Sequence, residues 1–195
     1  MIFVYFVLLS IPLSFLCGGK LKYVIENPMR LIWLPPLAFA IEAAFPILKA
    51  RISLPVNHWL WIAVLLEYTL LFLFCFLNWK RKSVRLIALA CILNFFVIAW
   101  YGFRMPVAPI IQDFPDMAST LSRIQSGEIF EYVLVEKGAP FLFLGDALII
   151  PFMHSGLASI GDIFLGIGVS WLIFQWMRPL PQKTKRTASV RYTAK

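Results

Sequence analysis

Charged residues are scarce in this sequence. They occupy 14% of the 195 positions, whereas 61% of the positions are hydrophobic. A water-soluble fold of this length carries more polar surface, so the composition argues against an ordinary soluble domain. The apolar residues also occur in blocks of membrane-spanning length rather than evenly along the chain. The composition therefore predicts an integral membrane protein.

Cysteine, histidine and recognisable catalytic motifs are scarce as well. The three cysteines, Cys17, Cys75 and Cys91, stand singly in apolar sequence without a C-x-x-C pair, which argues against a disulfide framework and a cysteine metal site. The sequence has no H-E-x-x-H, G-x-S-x-G or P-loop motif. We expect no catalytic residue, no metal and no cofactor. The sequence favours a non-enzymatic protein, although a catalytic Ser–His or Cys–His pair without a motif remains open.

Five apolar blocks predict five transmembrane helices in an all-α bundle that makes up residues 1–178. The blocks are residues 2–17, 31–48, 58–78, 84–103 and 160–177. The first block lacks a preceding basic residue and a small-x-small cleavage site, so we interpret it as a helix rather than a signal peptide. A shorter apolar run, 141–153, fits an interfacial or re-entrant segment within the long loop 104–158.

Lysine and arginine predict the orientation of these helices. With the N-terminus outside, thirteen of the eighteen basic residues fall on one side of the membrane, and the loop 104–158 on the other side is rich in acids. The positive-inside rule then predicts a multi-pass membrane protein whose C-terminus, with a basic and disordered tail over 179–195, lies in the cytoplasm. The net charge of +8 is explained by topology and attraction to anionic lipid. We therefore expect the lipid bilayer as partner, with a membrane protein or a second copy as a further partner, and no nucleic acid.

Two Gly-Asp pairs interrupt the apolar sequence near the C-terminus, Gly145-Asp146 and Gly161-Asp162. Ser159 stands three residues before Asp162, and this S-x-x-D spacing is typical of a capping box at the start of a helix. Asp146 is predicted to cap a short helix over 147–153 in the same way. The glycines would allow tight turns and close approach of helices.

A second interpretation gives the two aspartates a ligand. On one side of the bilayer they could converge with His58 and His154 around a cation or a polar molecule. These four side chains could hold a divalent metal, but their spacing in the sequence matches no metal motif. Both interpretations remain open at this point.

Three polar residues, Glu42, Glu67 and Asn94, fall near the middle of the second, third and fourth blocks. A carboxylate at the bilayer centre costs about 2.5–3.5 kcal/mol even on permissive scales, so each Glu must be neutral, hydrogen-bonded or facing water. The three side chains could bond to one another or to Tyr68 and hold the bundle together. They could instead form a proton or cation relay, or line a pocket for a lipid headgroup or quinone.

Several stretches resemble a known family. These are GGKLKYVIENPMRLIWL at 18–34, MPV at 105–107, APFLFLGDALIIP at 139–151 and SIGDIFLGIG at 159–168. They are similar to a family of bacterial polytopic membrane proteins defined only as a domain of unknown function. The resemblance implies a five-span bacterial membrane protein, which we expect in the cytoplasmic (inner) membrane, and implies no activity.

The sequence thus leaves two functions. The first is a non-enzymatic accessory or scaffold component of a membrane complex, favoured by the aromatic-rich spans and the lack of catalytic motifs. The alternative is a small proton- or cation-coupled transporter or channel that uses the mid-membrane carboxylates, with a second span broken by Pro35, Pro36 and Pro46.

Overall fold

A computed structural model of the protein describes residues 3–51, 56–150 and 156–179. Most of the described residues are helical, and short strands occur only between Met105 and Ala158 within them. The helices are α1 (Phe3–Leu16), α2 (Lys22–Glu26), α3 (Leu34–Arg51), α4 (Val56–Leu77), α5 (Lys82–Trp100), α6 (Ala118–Gln125) and α7 (Ile160–Trp176). The strands are β1 (Met105–Val107), β2 (Tyr132–Leu134), β3 (Leu148–Ile149) and β4 (Leu157–Ala158), and single 3-10 turns occupy Pro109–Asp113, Pro115–Met117 and Leu142–Leu144.

Each of the five apolar blocks contains one long helix, but α3 differs from its predicted bounds. Leu31 has a left-handed backbone conformation with φ of 48°, and the helix begins three residues later at Leu34. Pro35 and Pro36 consequently fall in the first turn, where a helix has no acceptor for a backbone N–H. The prediction that they break the span is therefore wrong, because the pair lies at the beginning of a helix that continues to Arg51.

Two of these helices are long and apolar enough to cross a membrane, as judged by length and composition. They are His58–Leu77 and Lys82–Trp100. The other apolar helices are shorter over the described residues and comprise Val4–Leu16, Leu34–Ala44 and Ile160–Trp176.

The long helices pack as a row in the order α1, α7, α5, α4, α3. Small residues bring the first three of them together. Ser10 on α1 donates a hydrogen bond to Ser170 on α7, with 2.7 Å between the two hydroxyl oxygens. Gly166 faces the ring of Phe6 on α1, and Gly168 faces α5, so α7 approaches both neighbours closely. The first and the last of the described long helices are thus adjacent.

Polar contacts join the chain turns at one end of this row. The side-chain amide of Asn78, after α4, pairs with the backbone N and O of Arg30 at 3.0 and 2.9 Å. Arg81 donates to the side chain of Asn27 at 2.6 Å, and the indole of Trp176 donates to the Asn27 carbonyl oxygen at 2.9 Å. The end of α7, the α4–α5 turn and the connection before α3 therefore meet, as antiparallel neighbours require.

Between α5 and α7 lies the 104–158 segment, which contains both small sheets. β1 pairs in parallel with β2, and on its other side Val107 bridges to Asp146. β3 pairs antiparallel with β4. The all-α prediction is therefore wrong for this segment, which contains short strands, although most of the described residues are helical. The helix expected over 147–153 is wrong for its described part, because Leu148 and Ile149 form a strand; residues 151–153 lie outside the described residues.

Helix α6 is amphipathic, and Gly127 follows it with φ of 72°. Its apolar side does not face outward. Met117 and Ile124 are buried together with Val107 in a small core of the 104–158 segment. This segment therefore folds as a unit with apolar packing of its own.

Candidate functional site

A cavity of about 590 Å³ lies between α3, α4, α5 and α7 and is bordered by the 104–158 segment. Most of its wall is apolar. Its ionisable and amide groups are Glu42, Glu67, Tyr68, Cys91, Asn94, Arg123, Glu131, Tyr132, Asp146 and Asp162. The cavity therefore brings together the three mid-block residues and the aspartates of both Gly-Asp pairs, which we predicted as separate sites.

Glu42 on α3 and Glu67 on α4 are both partly buried and line the cavity. The amide of Asn94 on α5 does not join them in the bonded cluster that we predicted as one alternative. Its nitrogen donates instead to Asp162 at 3.1 Å, and its oxygen accepts from the Ser159 hydroxyl at 3.1 Å. Asn94 thus links α5 to the beginning of α7, while the two glutamates face the cavity.

The capping box predicted at α7 is present. The Asp162 backbone N–H donates to the Ser159 side-chain oxygen at 2.9 Å, and the Ser159 N–H donates to Asp162 Oδ2 at 3.0 Å. Both groups also bond to Asn94, so the box is part of a contact between helices as well as a helix start. Gly161 is required there, because a Cβ at this position would overlap the Asn94 amide.

Asp146 occupies an unexpected environment. Its backbone N–H donates to the Pro106 carbonyl at 2.9 Å, and its carbonyl accepts from Ala108 at 3.1 Å, which fixes it beside β1. Gly145 permits this approach, because a Cβ there would lie 2.5 Å from the Pro106 oxygen. Asp146 therefore does not cap a helix; it extends the edge of the β1–β2 pair.

The carboxyl group of Asp146 is almost completely buried, with 4% of the residue exposed. Its Oδ1 atom has no hydrogen-bond partner among the described residues. Burial, and to a smaller extent the nearby negative charge of Asp162, raises the pKa of Asp146 to about 8. An unpartnered buried carboxyl group on a cavity wall marks a place where a ligand could bind.

Arg123 is the cation on the described wall, and it is already engaged. Its Nε atom lies 2.8 Å from a carboxylate oxygen of Glu128. The five carboxyl groups of the cavity, Glu42, Glu67, Glu131, Asp146 and Asp162, thus face a single, already paired cation. When they are ionised, the cavity attracts positive charge.

The predicted histidine cluster is only partly described. His58 lies exposed near the start of α4 and does not line the cavity. His154 lies outside the described residues. Within the described ranges no three His, Cys, Asp or Glu side chains are close enough to hold a metal ion. The structure thus brings Asp146 and Asp162 to one cavity without His58.

Glu131 and Tyr132 line the cavity but were not singled out from the sequence. They lie in the 104–158 segment, where no periodic pattern indicates which face is buried. The pairing of Met105 with Tyr132 in the β1–β2 register places them at the cavity. Only this long-range contact could have identified them.

Residues 26–174 match the model of a protein family described as a family of unknown function (DUF5317). The matched range includes every residue that lines the cavity and leaves out α1. No curated protein and no solved structure matches the chain.

Proposed function

We propose a function from the cavity, because the chain belongs to a family of unknown function (DUF5317) and membership in it implies no activity. The proposed function is that of a small proton- or cation-coupled transporter. The observation that carries this proposal is the cavity itself. It contains Glu42 and Glu67, from the middle of two helices, together with Asp146 of the 104–158 segment and Asp162 in the first turn of α7. Carboxylates at graded depth are the groups by which transporters bind and release protons or cations.

The proposal includes five membrane spans, α1, α3, α4, α5 and α7. The core helix of a soluble protein is mostly buried, whereas only 33% of the window in α4 and 44% of that in α5 are buried here. Large apolar side chains are exposed on the helices, for example Leu16 at 84% and Phe76 at 76%. Exposure of such apolar surfaces to water is unfavourable, whereas lipid chains would cover them.

Helix length constrains how the shorter helices cross. The fourteen residues of α1 extend about 21 Å at 1.5 Å per residue, less than the roughly 30 Å of hydrocarbon. Local thinning of the bilayer and flanking polar residues accommodate such a helix at modest cost. We propose that the shorter helices cross in this way, in the inner membrane of a bacterium.

We further propose that the 104–158 segment faces outside and the joined turns at the other end face the cytoplasm. Those turns contain Arg30, Arg81 and the start of α5 at Lys82, in agreement with the positive-inside rule. The cavity then lies toward the outer half of the membrane, bordered by the 104–158 segment.

The test is a flux measurement with the purified chain in proteoliposomes, using a pH gradient and an internal pH-sensitive dye. We expect wild-type chains to collapse the gradient when cation is supplied on one side. Glu42→Gln and Glu67→Gln, which keep side-chain volume and remove the exchangeable charge, should reduce this flux at least ten-fold. Glu136→Gln serves as the matched control, because Glu136 is exposed and outside the cavity.

Unchanged flux in both glutamine variants, or none in the wild type, would reject the transporter. The accessory or scaffold role predicted from the sequence has a different signature. A chain without flux that is recovered from mild detergent with a stoichiometric membrane partner would support that role instead.

A further inference from the structure

Resting on the transporter proposed above, we infer its substrate class: the cavity binds an organic ammonium ion with an apolar body, whose charged nitrogen pairs with Asp146. Three features of the described residues support this substrate class. These are the surplus of carboxyl groups, the unpartnered Asp146 side chain, and the size and apolar character of the wall.

The surplus of carboxyl groups sets the charge of the ligand. Five carboxyl groups line the cavity, and its guanidinium, that of Arg123, is bound to Glu128 at 2.8 Å. A cation that enters supplies the missing counter-charge at low dielectric, where the attraction is stronger than in water. An anion would add to an existing repulsion.

Asp146 identifies the point of attachment. It is 4% exposed, its Oδ1 atom is unpartnered among the described residues, and it lies on the cavity wall. Its backbone is fixed by the bonds to Pro106 and Ala108, so its position is set before a ligand arrives. The neighbouring carboxylate of Asp162 differs, because Asn94 and Ser159 already occupy it.

The wall distinguishes an organic cation from a metal ion. About 590 Å³ is within the range of small-molecule sites and far exceeds a bare ion. Within the described part of the chain, the carboxyl groups are too dispersed to ligate one metal together. The rings of Tyr68, Phe103 and Tyr132 line the same cavity and offer apolar and cation–π contacts to an alkylated nitrogen.

Protons compete for the same carboxyl group. With its pKa raised to about 8, Asp146 is mostly neutral at pH 7 and ionised at pH 9. The affinity for the cation should therefore increase as the pH rises through 8. Below pH 8, binding of the cation should release the proton from Asp146. The titratable and charged groups that line the cavity together with Asp146 are Glu42, Glu67, Tyr68, Cys91, Arg123, Glu131, Tyr132 and Asp162.

The test uses the full chain in nanodiscs and benzyltrimethylammonium as probe, because this ion carries a fixed charge at every pH. Calorimetric titration should show one site with an affinity at least ten-fold higher at pH 9 than at pH 6. Asp146→Asn should weaken binding at pH 9 at least ten-fold and abolish the pH dependence contributed by this site. Asp116→Asn, an exposed carboxyl outside the cavity, should bind like the wild type.

If Asp146→Asn fails to fold, as judged by gel filtration and circular dichroism, Glu131→Gln provides a second cavity variant, with weaker binding expected. The inference is overturned if the probe does not bind at millimolar concentration, if both cavity variants bind it as tightly as the wild type, or if Mn²⁺ alone binds in an Asp146-dependent manner. Proton flux that still depends on Glu42 and Glu67 would, in that event, leave the transporter standing with another substrate.

Discussion

Asn94 makes most of the described polar contacts between the helices that surround the cavity. Its amide bonds to Asp162 and Ser159 at once, and the missing side chain of Gly161 leaves room for it. In a membrane, hydrogen bonds between helices add to packing as the means of association. These four residues therefore hold α5 and the beginning of α7 in register beside the cavity.

Gly161→Ala tests this contact. The added Cβ collides with the amide and must displace it, so we expect a loss of about 2 kcal/mol in the free energy of unfolding. The measurement is denaturant unfolding in detergent, followed by tryptophan fluorescence. Asn94→Ala with Gly161→Ala completes a double-mutant cycle. Since removing the amide makes room for the methyl group, the two losses should be clearly sub-additive; additive losses would contradict the contact.

The success of prediction at single residues depended on how local their environment is. The capping box of Ser159 and Asp162 is formed by residues three positions apart, so its pattern in the sequence was sufficient. Asp146 shows the same Gly-Asp pattern, yet its partners are Pro106 and Ala108, about forty positions earlier in the chain. The Gly-Asp pattern alone does not separate the two aspartates. Ser159 marks the capping box at Asp162, whereas Phe143 stands three residues before Asp146, and the strand-like pairing of Asp146 arises from tertiary contact.

At the scale of elements, apolar block length located the long helices, since length and hydrophobicity are properties of contiguous sequence. Which helices touch could not be obtained in this way. All five are apolar around their circumference, so periodicity does not indicate a contact face. The adjacency of α1 and α7 depends on small residues such as Ser10, Ser170 and Gly166.

Cross-linking tests that adjacency. In a background with Cys17, Cys75 and Cys91 replaced by serine, Ser10→Cys with Ser170→Cys should form a disulfide on mild oxidation. The two hydroxyl oxygens lie 2.7 Å apart, within the reach of a sulfur–sulfur bond. Linked peptides are detected by mass spectrometry. Leu9→Cys with Ser170→Cys is the control, because Leu9 is 69% exposed; equal yields from both pairs would contradict the packing.

For the whole molecule, the charge distribution predicts an orientation that the helix arrangement alone leaves open. Asp116→Cys in the 104–158 segment and Lys80→Cys in the α4–α5 turn are both exposed positions. A membrane-impermeant maleimide added to intact spheroplasts should label the first and reach the second only after permeabilisation, because outer and cytoplasmic faces differ in access. Labelling of Lys80→Cys in intact spheroplasts would reverse the proposed orientation.

The neighbour relation between α1 and α7 has a consequence for biosynthesis. About 140 residues separate the end of α1 from the start of α7, so α1 leaves the ribosome long before its packing partner is synthesised. During that interval the Ser10 hydroxyl has only the carbonyl of its own helix, at Phe6, as a protein acceptor among the contacts described. A chain truncated before α7 would present an unmatched surface to quality-control proteases, and its turnover should be correspondingly fast.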